Sequence, residues 1–296
     1  LTLWRRLPVK PTLLPAVCLV STLPLFGGVV INEIHYHPSS EDVREEFVEL
    51  HNTGDEAVNL EGWSLRRGVR LDFPKATVPP HGYLVVAADV AVFAAKYPGV
   101  QPIVGDWDGV LSNRGETIQL EDANGKIIDS LSYADEGEWS IRQRDLPRYE
   151  HQGWDWLAEH DGGGKSLELI NPGISNKHGQ NWAASTVEEG TPGTVNSVFN
   201  ADAAPMILNV RHSPIVPRST SRVQITTRLV DEKKTGLTAD LFYRPDSAED
   251  YLTVPMHDDG THGDGLAGDG LFGQSIPAYP DGTVVEFYIR ARDAQD

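Results

Sequence analysis

Cysteine is almost missing from this chain: Cys18 is the only one in 296 residues. It lies in the N-terminal stretch. Beyond residue 28 the sequence therefore has no disulfide, no thiol nucleophile and no thiolate to ligate zinc. Basic charge is scarce as well. Lys and Arg number 25 against 43 Asp and Glu, a formal net charge of -18. Proteins that hold nucleic acid neutralise its phosphates with Lys and Arg, so this balance excludes that class of partner. It also opposes an anionic lipid surface and favours a well-solvated molecule that attracts divalent cations.

The first 28 residues carry the one long apolar run. Arg5, Arg6 and Lys10 precede the uncharged stretch PTLLPAVCLVSTLPLFGG. A basic region followed by an apolar one has the form of a secretory signal. Pro11, Pro15 and Pro24 interrupt the run, which disfavours a membrane-spanning helix. Val17 stands before Cys18 where a lipidated cysteine would need a small residue. Residues 1–28 are thus expected to be a signal peptide, the remainder being exported to the periplasm, the cell surface or the medium without entering a membrane.

The rest suits two domains, 29–198 and 199–296, and both read as strands. VVINEIHY is rich in β-branched residues, and EEFVELHNTGDEAVNLEGWSL reads as strand, turn and strand. ETIQLED and KIIDSLSY alternate around the turn signal ANG. One short helix is expected after Asp89, an N-cap residue, ending at Pro98-Gly99. The stretch from Glu136 to Gly164 shows no such pattern and reads as irregular. In the second domain, Val223, Ile225, Thr227 and Leu229 alternate with polar residues, as do Val285, Phe287, Ile289 and Ala291. The fold class is all-β, two immunoglobulin-like β-sandwich domains after the signal peptide. The chain stops at Asp296 directly after a strand, so a further C-terminal domain of the same polypeptide is expected.

The segments VVINEI, EFVELHNTGDEAVNLEGWSL, VPPHGYLVVAAD and LSNRGETIQLEDANGKIIDSLSY follow one another in the order seen in the lamin tail domain family. NWAASTVEEGTPGTVNS resembles the ending of its bacterial members. The resemblance implies an immunoglobulin-like sandwich used as an accessory module in exported, multidomain proteins. The order signal, lamin tail, sandwich is similar to the front of proteins that end in a spore-coat-type, kinase-like domain. The family carries no established catalytic residues, so no enzyme is expected in these residues.

Complete catalytic patterns are lacking. GGGKS at 162–166 has Glu159 where a phosphate-binding loop needs its first glycine. Three partial constellations remain. On an extended strand Glu33, His35 and His37 share a face, and a partner strand offers Glu49 and His51, which together could hold zinc or manganese. Trp139, Trp154 and Trp156 could stack on sugar rings, or pin an irregular segment to the sandwich. The run HDDGTHGDGLAGDGLFG reads as a hairpin loop between YLTVPM and LFGQSIP. It crowds Asp258, Asp259, Asp264 and Asp269 into twelve residues, and their mutual repulsion would be relieved by a structural Ca2+. The leading expectation is a non-catalytic binding or spacing segment that meets a protein or glycan at the cell surface. Two alternatives stay open: a carbohydrate-binding accessory module of an attached hydrolase, and a metal-dependent hydrolase using Glu33, His35 and His37.

Overall fold

A computed structural model describes residues 28–144, 146, 153–246 and 248–295. The expected signal peptide lies outside the described residues apart from Gly28, and so does the terminal Asp296. The first half of the chain forms strands β1 (Val29–His35), β2 (Phe47–Asn52), β3 (Val58–Asn59), β4 (Ser64–Arg66), β5 (Leu71–Asp72), β6 (Thr77–Val78) and β7 (Tyr83–Ala87). Helix α1 (Val90–Lys96) follows, then β8 (Ile103–Gly105), β9 (Thr117–Glu121), β10 (Ile127–Ser132), β11 (Ile141–Arg144), β12 (Trp154–Leu157), β13 (Leu167–Leu169) and β14 (Trp182–Ala184). A six-stranded sheet in the order β14-β13-β1-β2-β7-β8 packs over a four-stranded one in the order β10-β9-β4-β5.

The local chemistry explains these elements. Asp89 caps α1, its Oδ1 accepting from the backbone N–H groups of Ala91 and Val92. Asp122 closes the β9–β10 turn by accepting from Asn124 and Lys126 N–H, and Gly125 supplies the positive φ of 76°. Ile31, Ile34, Val48, Leu50 and Val86 of the larger sheet meet Leu65, Ile118, Leu120 and Leu131 of the smaller, all of them buried. Burying side chains of this size stabilises by roughly 1.5–3 kcal/mol each.

Ile31 and Ile34 both face the core because the β1–β2 register shifts between Ile31 and Glu33. Such a bulge breaks the alternation and frees backbone groups. The Ile31 N–H donates instead to Asp129 Oδ2 at 2.8 Å, and Asn176 Nδ2 donates to the same oxygen. Past the bulge, Glu33 and His35 turn to the outer face. That face is also covered: Phe93 of α1 packs on Phe47 at one end, and the segment 189–198 lies over the carboxylates at the other.

The second half forms β15 (Met206–Ser213), β16 (Val223–Val230), β17 (Thr238–Pro245), β18 (Leu252–Met256), β19 (Leu271–Ile276) and β20 (Val285–Arg292). They make two three-stranded sheets, β15-β16-β19 and β18-β17-β20. Ile225, Thr227 and Leu229 of β16 are buried, as their alternation requires, and Val285, Phe287, Ile289 and Ala291 of β20 pack on the same core. The molecule is thus all-β, built of sandwiches.

Two readings of the sequence need correction. The stretch from Glu136 to Gly164 is not wholly irregular: β11 and β12 pair as an antiparallel hairpin. The Asp-Gly run does not close a hairpin either. It carries the chain from β18 in one sheet to β19 in the other, with one bridge between His257 and Gly273.

Candidate binding surface and metal clusters

The sequence placed Glu33, His35, His37, Glu49 and His51 together, and the fold gives each its own surroundings. Glu33 and Glu49 are cross-strand partners, and Glu168 of β13 stands opposite Glu33 on its other side, a row of three buried carboxyl groups. The segment 189–198 caps the row. Thr191 N–H donates to Glu33 Oε1 at 2.9 Å, Gly193 N–H donates to Glu49 Oε2 at 2.5 Å, and Ser197 Oγ and Val198 N–H donate to Glu168 Oε2. Burial first, and neighbouring carboxylates second, push Glu33 well above its usual range and Glu49 up to about 8.

The histidines diverge from this row. His35 stacks on Phe47, with Nε2 3.4 Å from Glu189. His37 lies beyond the end of β1 and meets Asp161, Nδ1 to Oδ1, at 2.5 Å. His51 stacks on Tyr83. Among the described residues, the groups of three or more ligand-bearing side chains with donor atoms within 4.8 Å of one another lie elsewhere: His257, Asp259 and His262, and Asp202, Glu232 and Asp293.

The Asp-Gly loop is organised by its own backbone. Asp264 is fully buried; Oδ2 accepts from Asp259 and Gly260 N–H and Oδ1 from His262 N–H. Asp258 accepts from Gly268, Asp269 and Gly270 N–H, and Asp269 from Leu266 and Leu271 N–H. Asp259 stands apart with His262 and Thr261. Backbone dipoles thus offset the crowding of the four carboxylates that the sequence raised as a reason for an ion.

The tryptophans separate too. Trp139 is buried against Trp182, and its carbonyl is met by His160 Nε2 at 2.8 Å. A carbonyl only accepts, so Nε2 carries the proton and Nδ1 accepts from Tyr36 Oη. Burial lowers the proton affinity of this His160 ring. Trp139 is therefore part of the core. Trp154 and Trp156, each 44% exposed, stand on β12 across from Arg144 and Arg142. The guanidiniums of both arginines lie 3.9 Å from the Trp154 ring, and that of Arg142 lies 6.0 Å from Trp156. Every described residue of this hairpin is exposed, including Ile141 and Leu157. A guanidinium over an indole face retains N–H donors of a geometry that suits a carboxylate or sulfate.

Sequence reasoning singled out Trp154 and Trp156 but missed Arg142 and Arg144. The alternation Arg142-Gln143-Arg144 facing Trp154-Asp155-Trp156 was the available signal. It also missed Glu168 and the cap of Thr191, Gly193 and Asn196, which meets β1 and β2 through contacts 144 to 164 positions apart in sequence.

Comparison with known families agrees with this architecture. Residues 25–135 match the Lamin Tail Domain, and residues 226–290 match the Conditioned medium factor 2nd Ig-like domain. No curated protein matches the chain. The hairpin of β11 and β12 falls between the two matched segments, and β13 and β14 complete the first sheet beyond residue 135. Ig-like sandwich families of this kind are generally non-catalytic. The chain joins a lamin tail domain to a second, Ig-like domain.

Proposed function

We propose that this chain is a non-catalytic, exported binding and spacing segment of a larger cell-surface or secreted protein. It holds an acidic surface glycan on the hairpin of β11 and β12. The observation that carries this reading is the Arg142, Arg144, Trp154 and Trp156 face: a cationic, aromatic, exposed strip on a chain of net charge -18. Elsewhere the chemistry-bearing side chains named by the sequence are tied into the fold. The carboxylates of Glu33, Glu49 and Asp264 accept backbone N–H groups. An array of neutral, carboxylated and sulfated glycans, probed with the whole chain, tests the proposal. Binding confined to acidic glycans and abolished by Trp154→Ala supports it. Preference for neutral sugars would favour an accessory module that reads polysaccharide for an attached hydrolase.

A further inference from the structure

The connection from β18 to β19 brings two imidazoles and a carboxylate together. His257 directly follows β18, and Asp259 and His262 lie in the first Asp-Gly unit. One ligand-bearing atom from each of the three lies within 4.8 Å of the other two. The rings of His257 and His262 stack with their centroids 4.2 Å apart. His262 Nδ1 stands 3.0 Å from both carboxylate oxygens of Asp259. Imidazole and carboxylate are the donor types that zinc takes in proteins, and a mixed set of this kind is not an acidic patch.

The coordinating atoms are not taken up by other groups. No hydrogen-bond partner among the described residues reaches a ring nitrogen of His257. Asp259 Oδ1 accepts from Thr261 N–H and Thr261 Oγ1, whereas Oδ2 meets only His262 Nδ1. That histidine is also the one ion-pair partner of Asp259 among the described residues. Two ligands of a tetrahedral zinc, each bound at about 2.0–2.1 Å, stand roughly 3.3 Å apart. The Nδ1–Oδ2 pair would therefore open by only about 0.3 Å for an ion to replace the shared proton. The backbone beneath is fixed. His257 exchanges both of its backbone hydrogen bonds with Gly273, at 3.0 and 2.8 Å. Buried Asp264 accepts from the N–H groups of Asp259 and His262. Gln224 Nε2 of β16 donates to His262 O at 2.5 Å. These contacts hold the ligand-bearing residues as second-shell groups hold metal ligands. A cavity of about 730 Å³ lined by His257 and Asp259 opens beside them, a way in for an ion and its water.

We infer that His257, Asp259 and His262 form a zinc site that pins the crossing between the two sheets of the second sandwich. Imidazole nitrogens select zinc over calcium and magnesium, which take oxygen shells. Three protein ligands leave the fourth corner of the tetrahedron to water. The ion ties the end of β18 to the loop that leads into β19, so it stabilises the second domain. This is not the four-aspartate calcium site expected from the sequence. Asp258, Asp264 and Asp269 turn their oxygens to backbone N–H groups, and only Asp259 is common to both sets. The inference is independent of the glycan reading.

The test is calorimetric titration of the whole chain with zinc chloride, paired with thermal melts in zinc, in calcium and in chelator. One zinc per chain is expected, and zinc but not calcium should raise the melting temperature. His257→Ala, Asp259→Asn and His262→Ala each weaken zinc binding by roughly tenfold or more. His212→Ala, at an exposed histidine of the same domain, leaves it unchanged. Asp259 is exposed and an asparagine can still accept from Thr261, so Asp259→Asn stays folded for measurement. Zinc should also shift the ring-proton resonances of two histidines together, the two that vanish in His257→Ala and in His262→Ala. Absence of heat and of any resonance shift overturns the inference. So does zinc binding that survives all three substitutions, or calcium that binds more tightly than zinc.

Discussion

Gln180 pairs with Ile207 as though it were a strand: its Nε2 donates to Ile207 O at 2.9 Å while its Oε1 accepts from Ile207 N–H at 2.8 Å. The side chain of the first domain thereby extends β15 of the second and sets how the two halves meet. Both bonds are exposed to water, so each contributes at the low end of about 0.5–1.5 kcal/mol. Gln180→Ala is expected to leave each domain's melting unchanged. It should raise the rate of proteolysis across residues 199–205 severalfold. Unchanged cleavage would show that the junction is held by other contacts.

Glu46 predicts a pH dependence. It is 1% exposed; Oε2 accepts from Leu111 N–H at 2.9 Å, and no donor among the described residues reaches Oε1. Burial raises its pKa from 4.5 to about 8. Between those values the folded state holds one more proton than the unfolded state, so stability falls as pH rises through that window. Glu46→Gln imitates the protonated acid at every pH. Melting temperatures measured from pH 5 to 9 should fall less steeply for the variant, and parallel curves would contradict the assignment.

Asn196 holds the cap over the carboxylate row. Its Nδ2 donates to Asn32 O and Leu169 O, and its Oδ1 accepts from Asn32 Nδ2 at 2.7 Å. Asn196→Ala strands these buried groups at about 1–3 kcal/mol each in the limit. Urea unfolding followed at the tryptophans should show a loss of roughly 2–4 kcal/mol. A loss below about 0.5 kcal/mol, the ordinary surface value, would mean the cap is dispensable.

Asp264 stands at the centre of the Asp-Gly loop and accepts three backbone N–H groups. Removing it leaves those donors without an acceptor, so Asp264→Ala should destabilise the second domain by roughly 2–4 kcal/mol. Because the lost bonds come from backbone N–H donors, the loss should be equal in calcium and in chelator. A loss seen only in calcium would place a calcium ion in this loop.

The strands were largely legible in the sequence, because alternation, turn residues and caps are local signals. The β9–β10 hairpin, the Asp89 cap and the inward face of β16 all follow from neighbours within a few residues. What escaped depends on distant segments. Glu33, His35 and Glu49 do share a sheet face, as period two demands, yet their fate was decided by residues 189–198, which no periodicity links to β1. The Asp-Gly run looked like a hairpin because β18 and β19 are consecutive, and only the topology shows that they sit in different sheets. The hairpin of β11 and β12 was hidden by its exposure: with no buried face, its pattern of Arg and Trp carries no hydrophobic alternation.

The proposed role of the Arg-Trp hairpin is to bind an acidic glycan. The direct measurement is calorimetric titration of the whole chain with a carboxylated or sulfated oligosaccharide at two salt concentrations. Saturable binding is expected, weakening as salt screens the guanidiniums. Binding should be lost in Arg142→Gln and in Trp154→Ala, both exposed positions at which the fold should survive. Binding that ignores both substitutions, or no binding to any acidic glycan at low salt, would contradict it.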